Sequence, residues 1–533
     1  MASKEKDYSD SEKGSHTPSV IVKEAEILET QGISVHRTGF IGKLWAAVLY
    51  VDRFGVEVRG IERIRPEDRT ATSTWDLWDA MTMWLAANTT VSTFSLGTLG
   101  PTVFELGLKE SCLTILFFNL LSTLPVAYFA VWGPRLGLRQ MTISRFSFGY
   151  YTAWVPVILN IIACVGWSTI NSIVGGQTLR AVSTHNKIPE AVAILIIAAM
   201  TMVCALFGYR YVHLYERYTW IPTAIIFLIS LGLSAKYMTS GSFAGTGPVE
   251  AASVLSFGAS VVGFGLGWAS LAADYTVNFP EDVSAWKVFT LTYAGLNIPC
   301  ILIECLGAAM TTVTREDWQQ EFTDGGVGGL LGASLSRAGG FGKFLLVLLA
   351  LSIVGNNIPN MYSFALTFQV LGKYAQAIPR MFLVILGTIV YVILAIVGAS
   401  HFTSWLDTLL VLLSYWLAIF TTILIEEHLF FRKGQWSNYN PNDYNNPENL
   451  PLGIAAFIAL GCGVAGAVLG MAALWYIGVL GRKIGLPEFG GDIGFELSCA
   501  FTAVVYPVCR YIERKYEDPA RMRTREPDLP LKN

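Results

Sequence analysis

Apolar runs of the length that crosses a bilayer, about 20 residues, recur along the chain with polar breaks between them. Twelve can be marked, centred near Thr89, Leu121, Val165, Ala198, Phe227, Phe264, Pro299, Gly355, Val390, Leu413, Gly466 and Thr502. In hydrocarbon a backbone group has no water to bond, so each run must satisfy its own N–H and C=O groups as a helix. The pattern therefore predicts an all-α polytopic membrane protein with about twelve transmembrane helices. The weakest division lies between runs nine and ten, around Gly398 to Ser404. Runs one, three, six, seven and eight carry more polar residues than a lipid-facing helix needs.

Between the runs, residues 313–342 form the longest outer loop, and Gly325, Gly326, Gly328 and Gly329 predict flexibility there. The Asn- and Pro-rich stretch WSNYNPNDYNNPENLP reads as a polar linker that separates ten helices from a final two. The expected organisation is a tail over 1–74, a transport core over 75–426, a linker over 427–452, two added helices over 453–514 and a second tail over 515–533. Composition agrees. The 533 residues are 53% hydrophobic and 14% charged, against about 25% charged in soluble domains, and mean hydropathy is +0.48. Soluble multidomain and disordered classes are excluded. With 37 Lys and Arg against 40 Asp and Glu, the formal charge is −3. No basic field exists for phosphates, so nucleic acid is not an expected partner; membrane lipid is. The opening MASKEKDYSDSEKGSHTPS lacks the apolar core of a secretory signal. The RLGLRQMTISR loop and the arginines from Arg53 to Arg69 put positive charge on the side of the termini, which predicts both termini in the cytosol. The eight cysteines lie mostly within apolar runs and show no CxxC pair, the habit of packing thiols.

Four polar constellations sit inside the apolar runs. In run one, Asn88, Thr89, Thr90, Ser92, Thr93 and Ser95 precede Gly97, Gly100 and Pro101. Such hydroxyls can bond back to their own helix or join neighbours; as a group they predict a helix loosened at mid-membrane. In run six, Gly263, Gly265 and Gly267 alternate just before Trp268. They read either as a packing groove or as a point of unwinding that bares backbone groups to a cavity. Interruptions in runs one and six, five apart, are what an inverted five-helix repeat would give, with repeats near 75–238 and 252–426. In run three, Trp167 and Asn171 share a helix face at four-residue spacing. The fourth constellation, GNNIPNMYSF in run eight, places Asn356, Asn357 and Asn360 together, with Pro359 freeing a carbonyl. Three carboxamides in hydrocarbon are costly unless they face water, one another or a ligand. Being uncharged, they suit a neutral polar ligand, and each can meet the edge of a heterocyclic base with donor and acceptor at once.

Among the acids inside the runs, Asp274 and Glu304 stand out. Each is either a proton-coupling group or a neutral, hydrogen-bonded structural acid. No HExxH, Walker A or GxSxG motif occurs, so neither an enzyme nor an ATP-driven pump is expected. No cofactor is expected either.

The segments GIERIRPEDRT, MWLAANTTVSTFSLGTLGP, RFSFGYYTAW, GWASLAADYTVNFP and GNNIPNMYSFALTFQVLG resemble those of fungal purine–cytosine permeases, in the nucleobase:cation symporter family. The resemblance runs from about Arg59 to the end of the twelfth run. It implies a LeuT-type fold of five plus five inverted helices with two more at the C-terminus. It also implies symport of cytosine, adenine, guanine and hypoxanthine across the plasma membrane, with H+ as the coupling ion in fungal members and sodium in the related bacterial hydantoin carrier. Carried over by position, the substrate site maps to Trp167, Asn171, Trp268, Asn356, Asn357, Pro359 and Asn360, with a first-run contribution between Asn88 and Ser92. Where the family commonly has Ser-Ala-Asn, this chain has Ala86-Ala87-Asn88, which removes a hydroxyl. The expected function is a secondary transporter in which a planar base stacks on Trp268 or Trp167 while amides read its edge. The rivals are a carrier of the same fold for uracil, allantoin or a pyridoxine-like vitamin, a non-transporting nutrient receptor, and an intramembrane enzyme.

Overall fold

A computed structural model describes residues 60–69, 74–183, 188–206, 209–240 and 245–517. The N-terminal tail expected over 1–74 therefore falls almost wholly outside the described residues, as does most of the tail after 515. The first run is two helices, α1 (Thr74–Asn88) and α2 (Val91–Thr102), parted at Thr89 and Thr90. Then come α3 (Leu108–Ala130), α4 (Trp154–Arg180), α5 (Glu190–Leu206), α6 (Tyr209–Ser234), α7 (Pro248–Gly267) and α8 (Ala285–Thr311). The second half has α9 (Glu316–Leu335), α10 (Gly339–Gln369), α11 (Arg380–Gly398) and α12 (Phe402–Glu426), then α13 (Ile454–Gly470) and α14 (Gly494–Tyr516). Eleven of the twelve expected centres fall inside a helix; the first, Thr89, falls at the break. Among the described residues, seven helical stretches are long and apolar enough to cross a membrane, and α5 and α13 are shorter apolar helices.

The helices fall into two packed sets. In one, α8 packs along α1, α2 and α3, and α7 lies against α3. In the other, α4 runs beside α10, and both pack with α5 and α11. Close approach in the first set relies on glycine: a Cβ on Gly97 would collide with the Glu304 carbonyl, and one on Gly307 with the Phe94 carbonyl. Small residues that let backbones meet are a principal source of helix association in lipid, where burial of apolar surface gives little drive.

Three expectations are corrected by this packing. Gly263 and Gly265 do not break run six. Helix α7 continues through both to Gly267, because Gly263 seats against the backbone of Leu410 and Gly265 against Ser122. The change of conformation starts one step later, with 3-10 turns at Trp268–Ser270 and Ala272–Tyr275 separated by Leu271 at φ −126°. The 313–342 segment, expected as a flexible outer loop, is largely helix α9. Gly326, at φ +60°, kinks it, and Gly326 and Gly328 admit Gln177 and its neighbour at the end of α4. The 427–452 stretch is not a spacer but part of the body. Arg145 donates to the Tyr444 carbonyl and to Asn445, both at 2.9 Å. Trp132, His428, Trp436 and Tyr439 form one aromatic cluster.

Candidate functional site

A cavity lies where α4, α10 and the end of α7 meet. Its lining brings together Trp167 from α4, Trp268 from the turn after α7, and Asn356 and Asn360 from α10. No lining residue is charged. The two indoles are held from behind. Trp167 meets Phe264 edge-on, with centroids 5.3 Å apart at 85°. Trp268 meets Trp84 of α1 at 5.3 Å and 75°. Its indole N–H donates to Asn88 Oδ1 at 3.1 Å, and the Asn88 amide in turn donates to the Trp84 carbonyl at 3.0 Å. Both faces and edges are thus fixed before anything binds, which lowers the ordering cost of a stacked guest.

The amides divide into two groups. Asn171 is fully buried and does not line the cavity. It accepts from the Ser92 hydroxyl at 2.6 Å and donates to Asn356 Oδ1 at 2.7 Å and, more weakly, to Asn357 Oδ1 at 3.4 Å. Asn356 Nδ2 donates to the Ala87 carbonyl. This string, Ser92–Asn171–Asn356–Ala87, ties the break between α1 and α2 to α4 and α10. Asn360 is different. It lines the cavity, and its Nδ2 makes only a long bond of 3.3 Å to the Asn356 carbonyl. Its carboxamide is the one best placed to exchange that bond for a ligand's. Asn357 stays off the cavity wall, with its Nδ2 unpaired. Pro359 sits within the continuous helix α10, where it withholds the donor that would pair the Gly355 carbonyl.

Elsewhere in run one, Ser95 donates to the Val91 carbonyl at 2.8 Å and Thr98 to the Ser95 carbonyl at 2.7 Å, and the Thr90 and Thr93 hydroxyls meet at 3.3 Å. Asp274 and Glu304 both lie away from the cavity lining. Asp274 accepts from the Gln140 N–H at 2.8 Å and the Ser363 hydroxyl at 2.9 Å, while Arg139 holds its carbonyl at 2.6 Å. Glu304 takes the Asn119 amide on one oxygen at 2.6 Å, and its other oxygen has no hydrogen-bond partner. Sequence reading missed Asn160, Ala163, Cys164, Phe264, Ser270 and Leu271 in the lining. Of these only Asn160 carried a usable signal, an amide seven residues before Trp167 and eleven before Asn171, on the same helix face.

Comparison with known proteins identifies the family and the fold. The chain is 46% identical over 468 residues to the purine-cytosine permease fcyB of Emericella nidulans, covering 86% of this chain and 89% of that one. It is 38% identical to the purine-cytosine permease FCY2 of Saccharomyces cerevisiae, over 86% of each chain. The vitamin B6 transporter TPN1 of the same yeast is 34% identical, over 87% of this chain and 89% of that one. In fold, the chain resembles Mhp1, a nucleobase-cation-symport-1 family transporter solved in a closed conformation with bromovinylhydantoin bound. The TM-score is 0.66 at 14% identity, over 86% of this chain and 96% of that one, and the shared architecture is LeuT-type. Residues 68–487 match the model of a family of permeases for cytosine/purines, uracil, thiamine and allantoin. The chain is a transporter rather than an enzyme, and it belongs to that permease family.

Proposed function

We propose that this permease carries cytosine and purines such as adenine, guanine and hypoxanthine into the cell across the plasma membrane, with protons as the coupling ion and both termini in the cytosol. The observation that supports this reading most is the uncharged cavity between the two helix sets, with two pre-oriented indoles and the Asn360 carboxamide on its wall. A flat neutral base stacks on Trp268 or Trp167, a contact worth about 1–3 kcal/mol per base in comparable sites. Asn360 offers its edge a donor and an acceptor together. Asn171, Asn88 and Ser92 act through others: they hold Asn356 and Trp268 in place. Rocking of the α1, α2, α3, α7, α8 set against the α4, α5, α10, α11 set would open the cavity to each side in turn. The proton belongs on Glu304 or Asp274. Glu304, with one carboxylate oxygen lacking a partner, can take a proton without breaking an existing bond.

The test is uptake of radiolabelled cytosine and adenine in permease-deficient cells, with hypoxanthine, uracil, allantoin and pyridoxine as competitors. Saturable uptake that hypoxanthine blocks and a protonophore collapses is expected. Accumulation of pyridoxine or allantoin with none of the bases would overturn the substrate reading. Uptake that survives the protonophore but needs sodium would overturn the coupling.

A further inference from the structure

Asn160 lies six residues into α4, on the half of that helix nearest the arginine-rich 131–153 segment. It is 1% exposed and contributes to the wall of the cavity. At about 1.5 Å of rise per residue, it stands about 10 Å along the axis from Trp167, so the cavity is deeper than the indole and amide pairs alone would make it. Its Nδ2 donates to Thr367 Oγ1 of α10 at 2.9 Å. That bond sets which way the carboxamide faces, and it leaves Oδ1 with no hydrogen-bond partner. A buried amide oxygen without a donor is unfavourable by about 1–3 kcal/mol. The neighbouring wall offers it no remedy: Ala163, Cys164 and Leu271 present carbon and a weak thiol.

We infer that Asn160 is a specificity-determining residue, its Oδ1 forming an acceptor-only subsite at the deep end of the cavity for an exocyclic amino group of the base. This rests on the reading of the chain as a nucleobase carrier and adds to it a chemical preference. An acceptor fixed by Thr367 welcomes an amino group, as on adenine and cytosine. It opposes an exocyclic carbonyl at the same place, as on hypoxanthine and uracil, because two acceptors then face each other without a proton. Asn360 cannot make that distinction as sharply, since a carboxamide whose two ends are both available can meet either group, and Asn356 commits its two ends to Asn171 and the Ala87 carbonyl.

The experiment compares apparent KM and rate for adenine and hypoxanthine in the full-length wild-type chain, Asn160→Leu and Thr367→Val, with cell-surface amount measured alongside. Asn160→Leu keeps the branched shape of the side chain, with somewhat more bulk, and removes the acceptor. It should lower kcat/KM for adenine about tenfold relative to hypoxanthine. Thr367→Val leaves the amide in place but frees it to turn, and should reduce the same preference while both bases are still carried. Equal losses for the two bases in both variants, or no change in either, would overturn the subsite. Should Asn160→Leu fail to reach the surface, Thr367→Val decides alone by the same ratio. If the wild-type chain carries neither base, the nucleobase reading and the subsite fall together; if it carries both and the ratio never moves, only the subsite falls.

Discussion

Asn360 and Trp268 do different jobs at the cavity, and substitution should separate them. Replacing Asn360 with Ala removes the one carboxamide on the wall whose bond to protein is long, 3.3 Å to Asn356. A buried edge group of the base then goes unpaired, at about 1–3 kcal/mol. Cytosine uptake should fall between about tenfold and a hundredfold with the protein still at the surface; normal apparent affinity and rate would remove Asn360 from the site. Trp268→Ala should raise the apparent KM for purines more than Trp268→Phe, because Phe keeps a face to stack on and gives up only the N–H to Asn88. Equal effects of the two would argue against stacking. These residues could be found in the sequence because indoles and carboxamides are conspicuous in hydrocarbon. Asn171, Ser92 and Asn88 were conspicuous for the same reason, yet Ser92 spends its hydrogen bond on Asn171, Asn171 on Asn356, and Asn88 accepts from Trp268. A sequence shows that a polar group is buried; which partner it finds depends on the packing of helices far apart in the chain.

Among the elements, the helical, membrane-spanning character of the apolar runs and the break in the first were legible because hydrocarbon thickness and backbone satisfaction leave few alternatives. Glycine was not. Three glycines before Trp268 looked alike, but their surroundings differ: a Cβ on Gly263 would strike the Leu410 carbonyl, whereas one on Gly267 would come no closer than 3.5 Å to Trp167 Nε1. Gly263→Ala must therefore push α7 from α12, at the roughly 1–3 kcal/mol typical of overpacking. Its melting temperature in detergent should drop clearly, while Gly267→Ala leaves it nearly unchanged. A matching drop in both would mean that the helix break, not close packing, makes glycine necessary here. The same logic accounts for α9, where a glycine-rich sequence that suggests freedom is used for tight contact with Gln177 and its neighbour.

At the scale of the whole molecule, the last two helices could look like an addition joined by a polar linker, but the buried charges make them part of the body. Arg510 of α14 pairs with Glu427, at the end of α12, at 3.1 Å, and with Glu513 and Glu517 at 2.7 and 2.9 Å. Arg432 reaches Glu427 at 3.4 Å, and Tyr506 donates to it at 2.9 Å. Glu513 also accepts from the Ile454 N–H at 2.7 Å, at the start of α13. A negative charge at that end of a helix complements its dipole. One guanidinium thus serves three carboxylates that link α12, α13 and α14. Removing it strands buried negative charge, and breaking a buried pair from one side costs about 3–5 kcal/mol. Glu427→Gln should be milder, because a neutral amide can still accept from Tyr506. The expected order of thermal stability is wild type, then Glu427→Gln, then Arg510→Met, with cell-surface amount falling in the same order. Since no residue of this network lines the cavity, each molecule of Arg510→Met that does reach the surface should keep its apparent affinity for substrate. If Arg510→Met is as stable as the wild type, the two helices are held by apolar contact alone, and the ionic network is only a consequence of their position.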